Sequence, residues 1–197
     1  MSLNETREKF IYTDEQLMKR FQKGDENAYS ELVNRYKDKL INFIYNYVGD
    51  IDSAEDIVQD TMIKLYQKKQ YYKEIAKFST WLYTIAKNLA NTELRKRKRR
   101  KITLLSQLSK DGTNFDLSSN ENNVGDDIHT DIATRLIQKA INKLQDKFRE
   151  VIILRDIQEL SYDDISSIVN VPIGTVKSRI NRARLQLQLE LKHLNLK

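Results

Sequence analysis

The chain has no cysteine, one proline and five glycines in 197 residues. Without cysteine there is no disulfide framework, no thiolate zinc site and no cysteine nucleophile. The scarcity of proline and glycine argues against a sandwich or barrel, whose many tight turns draw on both. Histidine is nearly absent too. His129 and His193 stand far apart, and no phosphate-binding loop, metal-ligand cluster or nucleophile–base pattern occurs. An enzyme is therefore not expected, nor a cofactor or a metal. Long apolar runs are also missing. The longest, Leu40–Val48, is about half of the ~20 residues that a membrane span needs. The opening "MSLNETREKF" lacks the apolar segment of a secretion signal. A soluble, cytoplasmic protein with no membrane insertion is expected.

What is present points to helices. Hydrophobic residues make up 40% and charged residues 31% of the chain, ordinary values for a globular protein. The net charge of +6 is unevenly spread. Residues 1–101 carry 21 basic and 15 acidic side chains, residues 102–131 one and six, and residues 132–197 twelve and seven. Two basic blocks thus flank an acidic middle, a pattern that invites a polyanion at both ends.

Punctuation and periodicity divide the first block into helices. "TDEQ", with Thr13 and Gln16, is a capping box for a short helix that Gly24 stops. A longer helix runs from about Asp25 to Gly49, with Leu32, Val33, Tyr36, Leu40, Phe43, Ile44 and Tyr47 at helical spacing. "SAED" (Ser53, Asp56) reads as the capping box of a third helix reaching about Lys68. Ser79 or Thr80 can cap a fourth, with an apolar stripe of Trp81, Leu82, Ile85, Leu89 and Leu94; Trp81 belongs mainly to the core. Residues 106–131 are polar, acidic and rich in Ser, Asn and Asp, too poor in apolar surface to offset their ordering entropy. Periodicity resumes at Ile132. The expected fold is all-α: two small helical domains joined by a flexible acidic linker. The boundaries are a tail at 1–12, a first domain at 13–101, a linker at 102–131 and a second domain at 132–197.

The lone proline marks the sharpest motif. In "LSYDDISSIVNVPIGTVKSRINRARLQL", Ser161 and Asp164 box a short helix ending near Val169. Pro172 breaks it, Gly174 allows a tight junction, and a long helix follows from about Thr175. Helix, short turn and second helix is the helix-turn-helix arrangement, whose second helix enters the DNA major groove. At 100° per residue, Val176, Ile180, Ala183 and Leu187 form the buried side. Ser178, Asn181 and Arg182 lie opposite, with Lys177 at one edge, placed to reach base edges. Arg179 and Arg184 flank the buried stripe and suit phosphates.

Two further features need a partner. "RKRKRRK", Arg95–Lys101, is seven consecutive basic residues continuing the Trp81 helix. The third helix is acidic at its start. Its dipole accounts for Asp52, Glu55 and Asp56, whereas Asp60 with Gln59 lies beyond the first turn and points to a basic protein partner.

Together "GDENAYSELVNRY", "SAEDIVQDTMIKLYQ", "FSTWLYTIAKNLANTELRKRKRR" and the helix-turn-helix segment resemble, in order and spacing over roughly residues 13–192, an extracytoplasmic-function (ECF) sigma factor of the sigma-70 family. The resemblance implies a subunit that binds core RNA polymerase, directs it to promoter DNA and helps to melt it. It places polymerase docking on Asp56, Gln59, Asp60 and Ile63. It places single-stranded −10 capture on Lys77, Lys87, Asn88, Asn91 and Arg95. It gives −35 duplex readout to Lys177, Ser178, Arg179, Asn181, Arg182 and Arg184. It also implies an anti-sigma factor that clamps the two domains and hides both DNA surfaces. The loop "YYKEIAKFSTW" departs from the family by lacking glycine, which leaves the −10 base preference open. The competing reading is a stand-alone helix-turn-helix regulator, which has no use for the "EDIVQD" helix or the Trp81–Asn88 motif.

Overall fold

The computed structural model describes residues 12–108 and 132–193, and among these there is no strand. Four helices build the first half: α1 (Asp14–Gln22), α2 (Glu26–Val48), α3 (Ile51–Gln67) and α4 (Phe78–Leu108). The Thr13 box closes as its spacing requires. Thr13 Oγ1 accepts the Gln16 amide at 3.2 Å, and the Thr13 amide donates to Gln16 Oε1 at 2.9 Å. Asp25 caps α2 through the amides of Asn27 and Ala28. Gly49 ends α2 at φ 77°, a left-handed conformation that glycine adopts without a Cβ penalty.

Two helix starts differ from expectation. The cap of α3 is Asp50, whose carboxylate accepts the Ser53 amide at 3.1 Å, so Ser53 is itself inside the helix. Asp50 is held in that role by Arg97 Nη2 at 3.1 Å, a partner 47 residues away. Neither Ser79 nor Thr80 caps α4. It begins at Phe78, whose amide donates to Glu15 Oε1 of α1 at 3.1 Å, and this leaves Thr80 free for another contact. At its far end α4 continues past Lys101 to Leu108. The rest of the expected linker, residues 109–131, lies outside the described residues, as do 1–11 and 194–197.

The first core is aromatic. Phe21, Phe43, Phe78, Leu40, Ile44, Leu65 and Leu82 are wholly buried. Phe78 meets Tyr36 edge-on at 5.4 Å and Tyr72 at 6.0 Å. Trp81 is half-buried against Tyr72 and Phe78. The second half comprises α5 (Ile132–Lys143), α6 (Asp146–Ile152), a π turn at Ile153–Ile157, α7 (Tyr162–Val169) and α8 (Ile173–His193). Ser161 Oγ accepts the Asp164 amide at 3.1 Å to start α7. Val176, Ile180 and Ala183 are buried on α8, and Leu187 packs at the margin.

The α7–α8 turn works differently from the Pro–Gly reading. Its left-handed residue is Asn170 (φ 55°), the C-cap of α7, and Gly174 already lies in the first turn of α8. Pro172 supplies the carbonyl that accepts the Thr175 and Val176 amides. A Cβ at Gly174 would meet nothing within 4 Å. Gly174→Ala is therefore expected to fit without strain and to raise stability by up to about 1 kcal/mol. Urea unfolding checks this; a loss of stability would show that the turn needs glycine.

The two halves pack on one another, α4 against α7 and α2 against α5 and the π turn. No helix among the described residues is long and apolar enough to cross a membrane.

Candidate nucleic-acid interface

Along α8 the buried stripe fixes what faces outward. Lys177, Ser178, Asn181 and Arg182 are all exposed, on the side opposite Val176, Ile180 and Ala183. Lys177 Nζ lies 5.7 Å from the centre of the Tyr162 ring. Ser178 Oγ donates to the Thr175 carbonyl at 2.9 Å, which keeps its hydroxyl close to the helix. Arg179 and Arg184 are placed apart from these four by acids of the same half. Arg179 Nη1 is 3.4 Å from Glu150 Oε1, and Arg184 grips Asp156 at two points, 3.0 and 2.6 Å. Burial pushes the Glu150 carboxyl above the ordinary carboxylate value, and the charges of Lys87 and Arg179 work against that rise.

The α4 surface is less open than its sequence suggests. Asn88 and Arg95 are exposed. Asn91 is half-buried, its Oδ1 accepting from Tyr47 Oη at 2.8 Å. Lys87 is buried, and its ammonium donates to the Ile168 carbonyl of α7 at 2.9 Å. Lys77 Nζ reaches Asp164 Oδ2 at 2.9 Å, and Thr80 Oγ1 donates to Asp164 Oδ1 at 3.0 Å. Burial would raise the Asp164 carboxyl, but hydrogen bonds from Ser161, Lys77 and Thr80 outweigh it and hold the group below its ordinary value. The contact is therefore fully present above the ordinary carboxylate range and is lost only as pH falls through the lowered value. Thr80, Tyr83, Gln158 and Asp164 carry this junction. Sequence reading gave Thr80 and Asp164 only capping roles and passed over Tyr83 and Gln158, because nothing local marks a contact between halves.

Before α4, Tyr71 and Ile75 stand 77% and 89% exposed in the loop that ends at Lys77. Beyond Arg95 the basic run stays on the surface except Arg97, which binds Asp50, Glu93 and Ser53.

The α3 face is the third surface. Asp56, Gln59, Asp60 and Ile63 are exposed at i, i+3, i+4 and i+7, so they share one side. Ile63 is 52% exposed and Tyr66, a turn further on, 43%. Tyr66 extends the patch; its helical spacing from Ile63 was the available signal. Behind this face Ala54, Ile57, Val58, Thr61, Met62 and Leu65 are buried.

Residues 32–100 match the model of sigma-70 region 2 and residues 134–187 that of sigma-70 region 4. The chain is 37% identical over 189 residues to the ECF RNA polymerase sigma factor SigW of Bacillus subtilis, covering 90% of this chain and 96% of that one. It is 34% identical to the ECF RNA polymerase sigma-E factor of Haemophilus influenzae, with 92% and 97% covered. The protein is an ECF sigma factor of the sigma-70 family.

Among solved structures, the sigma factor RpoE of Bartonella quintana, in complex with the anti-sigma factor NepR, matches at a TM-score of 0.65 and 30% identity, over 83% of this chain and 96% of that one. CnrH, in complex with the cytosolic domain of CnrY, matches at 0.68 with 21% identity, a likeness of fold. This sigma factor therefore serves promoter-specific transcription initiation with RNA polymerase. Region 2 takes in α3 and most of α4, and region 4 takes in α6, α7 and most of α8.

Proposed function

We propose that this sigma factor divides its work between residues 13–101, which dock on core polymerase and capture the −10 element as unpaired bases, and residues 132–197, which read the −35 element as duplex. The observation that carries the proposal is the face of α8. Four exposed side chains able to bond base edges stand opposite a buried stripe, on a helix that follows a left-handed turn. Lys177, Ser178, Asn181 and Arg182 read bases, and Arg179 and Arg184 turn to phosphates as DNA competes with Glu150 and Asp156. On the other domain, Asn88 offers an amide edge to a flipped base. Tyr71 supplies a stacking surface, while Lys77, Lys87, Asn91 and Arg95 attend the backbone. Asp56, Gln59, Asp60 and Ile63 form the polymerase face. The partner set is core polymerase, promoter DNA and an anti-sigma factor, the last supported by the NepR complex of the Bartonella relative.

Transcription from a library of upstream sequences, with and without bacterial core polymerase, tests this. Initiation only with polymerase, from sites sharing two blocks at a fixed spacing, is the expected result. Tight duplex binding by the protein alone, with no effect on initiation, would replace this reading with a stand-alone regulator. Within the same assay Arg182→Ala should lower initiation roughly 5- to 150-fold, the range for one base contact, without changing polymerase affinity. Loss of both together would make Arg182 a folding residue.

A further inference from the structure

Every helix end leaves carbonyls or amides without partners inside the helix, and these are met by side chains or water. Two helices here have no basic residue of their own in the last turn, α2 and α7. Each receives a cation from the other domain. At the end of α2 the Tyr47 carbonyl accepts from Arg149 Nη1 of α6 at 3.2 Å. At the end of α7 the Ile168 carbonyl accepts from Lys87 Nζ of α4 at 2.9 Å. A cation at a helix C-terminus meets both the orphan carbonyl and the dipole, so the exchange is favourable in both directions.

The start of α7 is shared as well. Asp164, in its first turn, takes Lys77 and Thr80 of domain two in addition to Ser161 of its own cap. Between these contacts the π turn matters. The Gln158 amide returns to the Ile153 carbonyl at 3.0 Å, five residues back, a bond with one more residue than an α-helical turn holds. Gln158 then binds two residues of domain two. Its Oε1 accepts from Tyr83 Oη at 2.6 Å and its Nε2 donates to Asn42 Oδ1 at 3.0 Å.

We infer that these contacts are a latch: without polymerase the chain closes on itself, α7 and the π turn cover the −10 surface of α4, and the −35 surface of α8 stays open. The inference rests on the −10 assignment made above for Lys77 and Lys87. Both are held by α7, Lys87 in a buried position that a DNA backbone cannot reach while α7 is in place. Lys177, Ser178, Asn181 and Arg182 remain exposed in the same closed state. A −10 strand and α7 therefore compete for one face of α4. The apparent affinity of the free chain for a −10 strand is its intrinsic affinity reduced by the fraction of chains that are open.

Because the chain has no native cysteine, two labels can be placed unambiguously. Asn34→Cys on α2 and Ser167→Cys on α7 are exposed and lie outside every proposed binding set. Energy transfer between dyes there, in the full-length protein, is expected to report a single short distance. That distance should widen in the T80V/Q158A variant, and in Y83F should the double variant not fold. It should also widen on adding core polymerase. The single-stranded −10 probe is the non-template strand of a promoter recovered from the library. T80V/Q158A should bind it on the order of tenfold more tightly than the parent. A broad distance unchanged by the substitutions would overturn the latch, as would a closed chain whose latch variants bind the probe no better. In either case initiation that still depends on the −10 block leaves the proposed function standing. Initiation indifferent to that block would instead remove the −10 reading, whatever the measured distance.

Discussion

Ile63→Glu is expected to abolish initiation while leaving the protein folded. Ile63 is half exposed on the outer side of α3, so the change disturbs little of the core and should alter stability by no more than about 0.5 kcal/mol. On the proposed docking face it does the reverse. It puts a charge at the apolar centre of a patch whose rim is Asp56, Gln59, Asp60 and Tyr66. Central apolar anchors of this kind cost about 2 kcal/mol or more when removed, and burying an unpaired carboxylate adds to that. A fall in core-polymerase affinity of roughly 30-fold or more follows. Asp60→Ala with Gln59→Ala, at the rim, should reduce affinity by less. Binding of −35 duplex by α8 should not change. Titration of labelled core polymerase measures all three variants, and unchanged affinity in Ile63→Glu would remove α3 from the docking face.

Phe78→Ala should be the most destabilising of these substitutions. Phe78 has no solvent exposure and packs against Tyr36, Tyr72 and Trp81 at the first turn of α4. Truncating a buried phenylalanine costs about 3–5 kcal/mol, a large part of the stability of a typical domain. For a chain of this size that lowers the melting temperature by roughly 10 °C or more. The loss falls on domain two, and it loosens the loop carrying Tyr71, Ile75 and Lys77. Calorimetry also reports on the junction between domains. If the contacts of Gln158, Asp164 and Lys87 couple the halves, the variant melts in one transition; if they do not, domain four melts separately at a higher temperature. A shift of a degree or two would mean that the ring is not a core element.

Much of this fold was legible because its determinants are local. The Thr13 and Ser161 caps act across three residues, and the stripes of α2 and α8 repeat every turn, so both can be read from the chain. Misplaced features have distant causes. Asp50 rather than Ser53 starts α3 because Arg97 holds it, and Thr80 does not cap α4 because Asp164 takes its hydroxyl. The π turn interrupts an apolar run that continues the helical pattern on both sides, so no residue announces it. The site divides the same way. The outward face of α8 follows from the wheel, but the pairing of Arg179 with Glu150 and of Arg184 with Asp156 bridges 29 and 28 residues. Lys87 shows the difference most clearly. Its place on α4 was readable, whereas its burial depends on a helix 81 residues away.

That buried lysine has a consequence for ionic strength. A lysine in water carries condensed or nearby anions, and DNA gathers cations; bringing them together frees small ions, and binding weakens as salt rises. Lys77 and Lys87 do not start from water in the closed chain. Their charges are already met by Asp164 and by the Ile168 carbonyl, so they have few anions of their own to release. When α7 leaves, one anionic partner is exchanged for another. The salt dependence of −10 capture by the free chain thus reflects fewer lysines than touch the strand, and the basic run beyond Arg95 sets most of its slope.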